Sequence, residues 1–133
     1  MQKKFNRSYD SLEEIFEFTE RFFAAEGIGQ SVRFPVHFVT EELFTNMVKY
    51  NPDNSNGILL GVDAADGAVT VTLTDYDVDA FDVTAPRDVD IHAPLEQRTP
   101  GGLGVHLIQH MVDSLEYDYA DRSSTVTFTK RAG

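Results

Sequence analysis

Cysteine is missing from this chain of 133 residues. Its absence excludes disulfide bonds, thiolate metal sites and cysteine nucleophiles. Long apolar runs are missing too, since no stretch reaches the roughly 18 residues that suggest a membrane span. The first ten residues, MQKKFNRSYD, also lack the apolar segment of a signal peptide. We therefore expect a cytoplasmic protein that does not enter the membrane.

Positive charge is scarce. The chain has 11 basic against 22 acidic residues, and its formal net charge is -11. Such a field repels a phosphate backbone unless a local basic patch reverses it. The candidates, Lys3, Lys4 and Arg7 at the start and Lys130 and Arg131 at the end, are few and are interpreted as solvated ends. Direct binding of nucleic acid is not expected.

What remains is the composition of one soluble globular domain. Hydrophobic residues make up 41% and charged residues 25% of the chain, which is typical of a packed fold. A chain of this length can bury one core but not two. No repeat or linker composition divides it, so residues 1–133 are expected to form a single domain.

Two helices are predicted in the first half. Ser11 and Glu14 have the spacing of a capping box, and apolar residues recur at helical intervals until Gly27. Phe18 lies off that stripe, so this helix is expected to be covered on two sides, by the sheet and by a partner chain such as a second copy. A longer amphipathic helix runs to Tyr50, with Pro35 in its first turn.

Strands and one long loop follow. Residues 58–62 and 68–74 predict a β-hairpin with one buried face, and residues 105–115 predict a short helix. Two alternating strands, LEYDYA and TVTFTK, end the chain. Residues 75–100 show no periodicity and contain three prolines. Loops of this length in compact domains are usually functional lids or disordered segments, and we interpret this one as a lid.

Three groups of residues could carry chemistry. Glu42 and Asn46 are four apart on one helical face, where an amide oxygen can ligate Mg²⁺ and a carboxylate can orient or deprotonate a hydroxyl. Asp75, at the end of a strand, could accept a hydrogen bond from an exocyclic amine such as that of adenine. The alternatives are solvated side chains for the first pair and a turn-capping aspartate for Asp75.

The third group is a glycine cluster. Gly101, Gly102 and Gly104 directly precede the predicted short helix. Glycines there allow backbone N–H groups to approach phosphate oxygens, and the helix N-terminus favours anions. The spacing is that of neither a P-loop nor a dinucleotide fingerprint, and a glycine-rich hinge is the alternative.

His106 and His110 have metal-ligand spacing but no third ligand, so no transition metal is assigned.

The order of these features resembles the gyrase, histidine-kinase and mismatch-repair ATPase superfamily. Within it, the chain is most similar to stand-alone anti-sigma-factor serine kinases of the RsbW and SpoIIAB type. EELFTNMVKY matches the asparagine box of that family, DYDVDAFD corresponds to its aspartate box, and APLEQRTPGGLGVHLIQHMVDSLEY matches its glycine-box region. The resemblance covers nearly the whole chain.

The resemblance implies a fold and an activity. The fold is a two-layer α/β sandwich, with a mixed, mostly antiparallel sheet covered on one face by helices. Glu42 would be the catalytic base, Asn46 the Mg²⁺ ligand, and Asp75 the residue that reads adenine. Gly101, Gly102 and Gly104 would belong to the phosphate loop. The protein would use ATP and Mg²⁺ to phosphorylate an anti-anti-sigma (STAS) protein, and would bind that protein, a sigma factor or both.

The aspartate box departs from the family pattern. Asp77 replaces the family's glycine, and one extra residue precedes Phe81. A side chain at Asp77 is expected to crowd the base, because glycine allows close backbone approach there. Three alternatives therefore stay open: a degenerate module that binds a partner, a nucleotide sensor without phosphotransfer, and a metal-dependent hydrolase built on the aspartate cluster.

Overall fold

The computed structural model describes residues 1–51, 53–80 and 102–132, with the backbone alone for 102–106. Three helices and five strands lie in these ranges. In chain order they are β1 (Gln2–Phe5), α1 (Ser11–Glu26), α2 (Gln30–Tyr50), β2 (Ile58–Ala65), β3 (Ala68–Tyr76), α3 (Gly102–Met111), β4 (Ser114–Ala120) and β5 (Ser123–Arg131). Most of the predicted lid, residues 81–100, lies outside the described residues.

The strands form one sheet in the order β1-β2-β3-β5-β4. All four pairings between the described strands are antiparallel, so this part of the sheet is wholly antiparallel rather than mostly so. Short hairpins join β2 to β3 and β4 to β5, and short connections of this kind permit only antiparallel pairing. The predicted α/β sandwich with an antiparallel sheet is otherwise confirmed.

Alternation along the strands builds the core. Val69, Val71 and Leu73 of β3 are buried, whereas the threonines between them are half-buried. Because successive side chains of a strand point to opposite faces, the valines and the leucine share one face. Buried residues of α1 and α2, among them Phe23, Val39 and Phe44, belong to the same core cluster. The helices therefore cover the apolar face of the sheet.

The start of α1 differs from the predicted capping box. Ser11 is the first helical residue, and the N-cap position is held by Asp10, which makes no side-chain capping bond. The Ser11 hydroxyl instead donates to the carbonyl oxygen of Asn6 at 2.8 Å. Its hydroxyl therefore ties the helix to the preceding loop. The predicted end of α1 is confirmed, since Gly27 caps it at a φ of 67°.

Helix α2 begins earlier than predicted. It starts at Gln30, so Pro35 lies inside the helix rather than in its first turn. A proline at this position cannot donate to the carbonyl four residues back, which is Ser31, an exposed residue. Solvent can satisfy that carbonyl. The helix tolerates Pro35 because the lost bond lies near its solvent-exposed N-terminal end.

Strand β1 was not predicted from the sequence. It pairs with β2, with Phe5 opposite Ile58. Phe5 is buried and packs edge-on against Phe18, with ring centroids 5.6 Å apart. The second contact expected for Phe18 therefore comes from within the chain and requires no partner chain. Lys3 and Lys4 are exposed, as expected, but Arg7 is not.

The last helix is shorter than predicted. Helix α3 ends at Met111, and Leu115 belongs to strand β4. Ile108 is fully buried, and Leu115 packs against the core from the sheet side. In the parts of the chain that the structure describes, no helix is both long and apolar enough to cross a membrane.

Candidate nucleotide site

The candidate site lies at one end of the sheet, on the face that the helices cover. Asp75 is opposite Ile58 on β2 and opposite Ser124 on β5. It follows Val71 and Leu73 in the same alternation, so a carboxylate takes the place of the next apolar side chain. Strand β3 extends to Tyr76, which puts Asp75 within the strand rather than after it.

A small pocket, partly open to solvent, lies between α2 and this end of the sheet. Asn46 and Asp75, which the sequence predicts as ligand residues, both line it. Aliphatic and aromatic side chains make up much of the remaining wall: Leu43, Met47, Tyr50, Val78, Tyr117 and Val126. An apolar pocket with a few polar groups is the usual form of a small-molecule site.

Asn46 is buried, and its amide nitrogen has no hydrogen-bond partner among the described residues. A buried polar group without a partner is costly, so it calls for an explanation such as a bound ligand, ion or water. The side-chain amide offers an acceptor oxygen as well as a donor nitrogen. The Nδ2 donor needs an acceptor atom, which a bound ligand could supply, whereas the amide oxygen is the atom that could ligate a cation.

Asp75 forms a buried ion pair with Arg7. The Nη2 of Arg7 donates to Oδ1 of Asp75 in a short contact, and Nη1 lies 3.5 Å from Oδ2. The two side chains are only 3% and 2% exposed, respectively. The interpretation of Arg7 as part of a solvated end was therefore wrong. Burying an aspartate at this position requires a cation, and the connection after β1 supplies it.

Burial raises the pKa of Asp75 above its ordinary value of 3.8. The hydrogen bond and charge of Arg7, and the backbone N–H of Tyr76, oppose that rise in pKa. A low-dielectric environment disfavours the charged form, whereas a guanidinium in contact favours it. Arg7 therefore works against protonation of the carboxyl group that faces the pocket.

Contrary to expectation, Asp77 does not crowd the pocket. Its φ is 56°, the left-handed conformation that glycine adopts most easily and that aspartate tolerates. The Asp77 side chain is 70% exposed and accepts a hydrogen bond from Nε of Arg122 at 2.9 Å. It is absent from the pocket wall. Asp77 thus keeps the backbone conformation of a glycine while its carboxylate points to solvent.

Hydrogen bonds from two sides hold the end of β3 and the residues that follow it, up to Val78. Asn54 donates to the carbonyl oxygens of Tyr76 and Asp77 at 2.7 and 3.1 Å. On the other side, the backbone N–H of Val78 donates to the carbonyl of Arg122, and the Tyr119 hydroxyl donates to the carbonyl of Val78 at 2.7 Å. These bonds fix Val78 as one wall of the pocket.

The other predicted site residues lie apart from this wall. Glu42 is half-buried one turn before Asn46 on α2 and does not line the pocket. Helix α3 begins at Gly102, so Gly102 and Gly104 are inside its first turn rather than before it. Gly101 lies outside the described residues. The structure thus brings Asn46 and Asp75 to one pocket and leaves the roles of Glu42 and the glycines as predictions.

Sequence reasoning missed Arg7, Tyr117 and Ser124 as site residues. Arg7 is 68 positions from Asp75 in the chain, and no local pattern links the two. Ser124 is opposite Asp75 on β5, and the Tyr117 and Ser124 side-chain oxygens are 3.4 Å apart. The alternation of β4 and β5 places both residues on the helix-facing side. That signal could have identified them once the strand order was known.

A profile of the histidine kinase-like ATPase domain matches residues 5–130. The chain belongs to this family, and the fold described above is that of the family. No curated protein sequence is significantly similar to the chain.

Two solved structures have the same fold. The structure of the RsbU and RsbW domains of Rv1364c from Mycobacterium tuberculosis matches with a TM-score of 0.70 and 16% identity. The match covers 98% of this chain and 31% of that one. The SiaB-SiaC complex from Pseudomonas aeruginosa matches with a TM-score of 0.70 and 17% identity, over 99% of this chain and 88% of that one. At such identities, the likeness concerns the fold.

Proposed function

We propose that the chain binds ATP with Mg²⁺ and transfers the γ-phosphate to a serine or threonine of an anti-anti-sigma (STAS) protein. In the same pathway it would hold a sigma factor inactive. The observation that carries the proposal is the pocket in which Asn46 and Asp75 meet, in a chain of the histidine kinase-like ATPase family. Matched structures that contain an RsbW domain or a two-protein complex support the partner class.

Each proposed residue has one task. The Asp75 carboxylate would accept a hydrogen bond from the adenine amine, and the Asn46 amide oxygen would hold Mg²⁺. Bound Mg²⁺ supplies charge neutralisation for phosphoryl transfer. The backbone N–H groups at Gly101, Gly102 and Gly104 bind phosphate oxygens. Glu42 accepts the proton of the acceptor hydroxyl. As it does so, the hydroxyl oxygen bonds to the γ-phosphorus, and the bond between the γ-phosphorus and the oxygen of the β-phosphate breaks.

The position of Glu42 suits this task. No described side chain donates a hydrogen bond to its carboxylate, and it stands one helical turn from Asn46. A group that is half-buried and outside the pocket wall remains accessible to a hydroxyl brought by a second protein.

Phosphotransfer tests the proposal. Wild type should transfer labelled γ-phosphate to an anti-anti-sigma partner encoded in the same organism. Glu42→Ala should lower transfer by roughly 10²- to 10⁴-fold and leave ATP affinity nearly unchanged, because a general base acts in the chemical step. Asn46→Ala should weaken ATP binding and transfer together. Equal transfer by wild type and Glu42→Ala would remove the base from the mechanism.

A second candidate is a regulatory module of the same fold without phosphotransfer. The observation that favours it is the ion pair in which both oxygens of Asp75 already contact Arg7. Such a module would bind a partner protein, or sense ATP without using it. ATP binding without transfer to any partner would favour the sensor, and no ATP binding would favour the partner-binding module. In the described part of the chain, no cluster of acidic or histidine residues could hold a metal for a hydrolase.

A further inference from the structure

Arg7 is held in place by main-chain groups as well as by Asp75. Its Nη1 donates to the carbonyl oxygen of Met47 at 2.9 Å, and its Nε donates to that of Asn56 at 3.2 Å. Met47 belongs to the last turns of α2, and Asn56 belongs to the connection that precedes β2. The guanidinium is therefore fixed by two separate segments, and its direction does not depend on the carboxylate alone.

The pair is arranged with Arg7 behind Asp75. Asp75 lines the pocket, whereas Arg7 does not. A carboxylate has about four lone-pair positions, of which two are directed to the guanidinium. A third accepts from the backbone N–H of Tyr76, and the fourth stays available as an acceptor. The ion pair thus orients the carboxylate without filling the pocket.

The charge state of Asp75 decides which base it can recognise. An ionised carboxylate only accepts hydrogen bonds, so it pairs with an amine and repels a carbonyl oxygen. A protonated carboxyl group can also donate to a carbonyl oxygen. Burial on its own favours the protonated form, and the Arg7 guanidinium opposes it. The cation that holds Asp75 therefore also controls its hydrogen-bonding character.

We propose that Arg7 determines base selectivity: it holds Asp75 as an oriented, acceptor-only carboxylate, so the pocket takes a purine with an exocyclic amine and rejects one with a carbonyl at that edge. Arg7 is a positioning residue that acts through Asp75. This inference rests on the proposed function, since it concerns the base of a nucleotide bound at the same pocket.

The test compares ATP with ITP, which carries a carbonyl in place of the adenine amine. Affinities are measured by calorimetry in Mg²⁺ for wild type, Arg7→Ala and Arg7→Lys. The matched control is Arg33→Ala, since Arg33 also pairs with a carboxylate, that of Glu20, and donates to a backbone carbonyl, away from the pocket. Arg7→Lys keeps the cation but not the planar fork, so it serves if Arg7→Ala does not fold.

Wild type should prefer ATP over ITP by about 10- to 100-fold, the range expected for one hydrogen bond to a charged group. Arg7→Ala should reduce this ratio about tenfold, Arg7→Lys by less, and Arg33→Ala should leave it within about twofold of wild type. A merely structural role would weaken both nucleotides equally and leave the ratio unchanged.

An unchanged ratio in a folded Arg7 variant would overturn the inference and leave the proposed function standing. Equal affinity of wild type for ATP and ITP would also overturn it. Wild type that binds neither nucleotide would remove the proposed function and this inference together. Failure of both Arg7 variants to fold, even with saturating ATP, would assign Arg7 to structure alone.

Discussion

At the scale of single residues, the central feature is a charge buried at the end of an apolar strand. Asp75 continues the series of buried side chains along β3. The free-energy cost of burying its charge is offset by the ion pair with Arg7. If this position served packing alone, an apolar residue could fill it. It lies on a pocket wall beside Asn46, whose amide nitrogen has no hydrogen-bond partner among the described residues, and this is the reason to regard Asp75 as a ligand residue.

The pKa of Asp75 gives a pH dependence of stability. Its native pKa is raised above 3.8, mainly by burial, so the native state keeps this proton at pH values where the unfolded chain has lost it. The contribution of Asp75 to the free energy of unfolding is therefore largest below pH 3.8 and falls as the pH rises to the native pKa. Above the native pKa it is constant.

Two measurements check this dependence. A carbon NMR titration of the Asp75 carboxyl should give a midpoint above 3.8. Over the same interval, the unfolding free energy of wild type should fall with rising pH relative to that of Asp75→Asn, whose side chain does not titrate. A midpoint below 3.8, or a difference that increases with pH, would contradict the assignment.

Sequence reasoning identified the residues whose neighbours lie close in the chain. Asn46 stands out within a helical motif, and Asp75 stands at the end of a strand pattern. Arg7 carries no such signal, because its role depends on a partner 68 positions away. The sequence identifies Asp77 as the departure from the family pattern. It does not show that the side chain leaves the pocket free, because that depends on the backbone conformation of Asp77.

At the scale of elements, β1 connects the edge of the sheet to the site. Gly57 lies just before β2, and a Cβ added there would come within 2.9 Å of the carbonyl oxygen of Phe5 and 2.7 Å of Cγ of Lys4. Real Cβ atoms do not approach backbone that closely. The close pairing of β1 therefore depends on glycine at this position, and β1 leads directly to Arg7.

Gly57→Ala should displace β1 and, with it, Arg7. We expect a loss of about 1–3 kcal/mol in the free energy of unfolding, as for other overpacked positions, together with weaker ATP binding. The measurements are urea denaturation and calorimetry.

Gly61→Ala is the matched control, since a Cβ there meets only ordinary contacts from 3.9 Å. It should change stability by no more than about 0.5 kcal/mol, as is usual where no strain or cavity arises. Equal effects of the two substitutions would contradict the role assigned to Gly57.

Most elements could be predicted, and the errors lie where tertiary contacts override local patterns. Long periodic segments gave α1, α2 and the two hairpins. Strand β1 is short, and its pattern is weak until β2 pairs with it. Pro35 predicts a helix start, but α2 begins before it, at Gln30, and the carbonyl left without a donor belongs to the exposed residue Ser31. Leu115 continues the apolar spacing of α3 yet joins β4.

At the scale of the whole molecule, the fold places the pocket between its longest helix and the end of its central strand. Asn46 comes from α2, Asp75 from β3, and Ser124 from β5, so the site exists only when all three elements are packed. The chain also carries a net charge of -11, which opposes a triphosphate. Nucleotide binding should therefore depend on Mg²⁺.

Calorimetry with a non-hydrolysable ATP analogue tests the central claim, that this pocket binds an adenine nucleotide. With Mg²⁺, wild type should bind, and chelation of the metal should weaken binding. Asp75→Asn should lower affinity by about tenfold or more, whereas Asp63→Asn, an exposed aspartate on β2, should not change it. No heat and no thermal shift at millimolar nucleotide, or equal affinities of the Asp75 and Asp63 variants, would contradict the account.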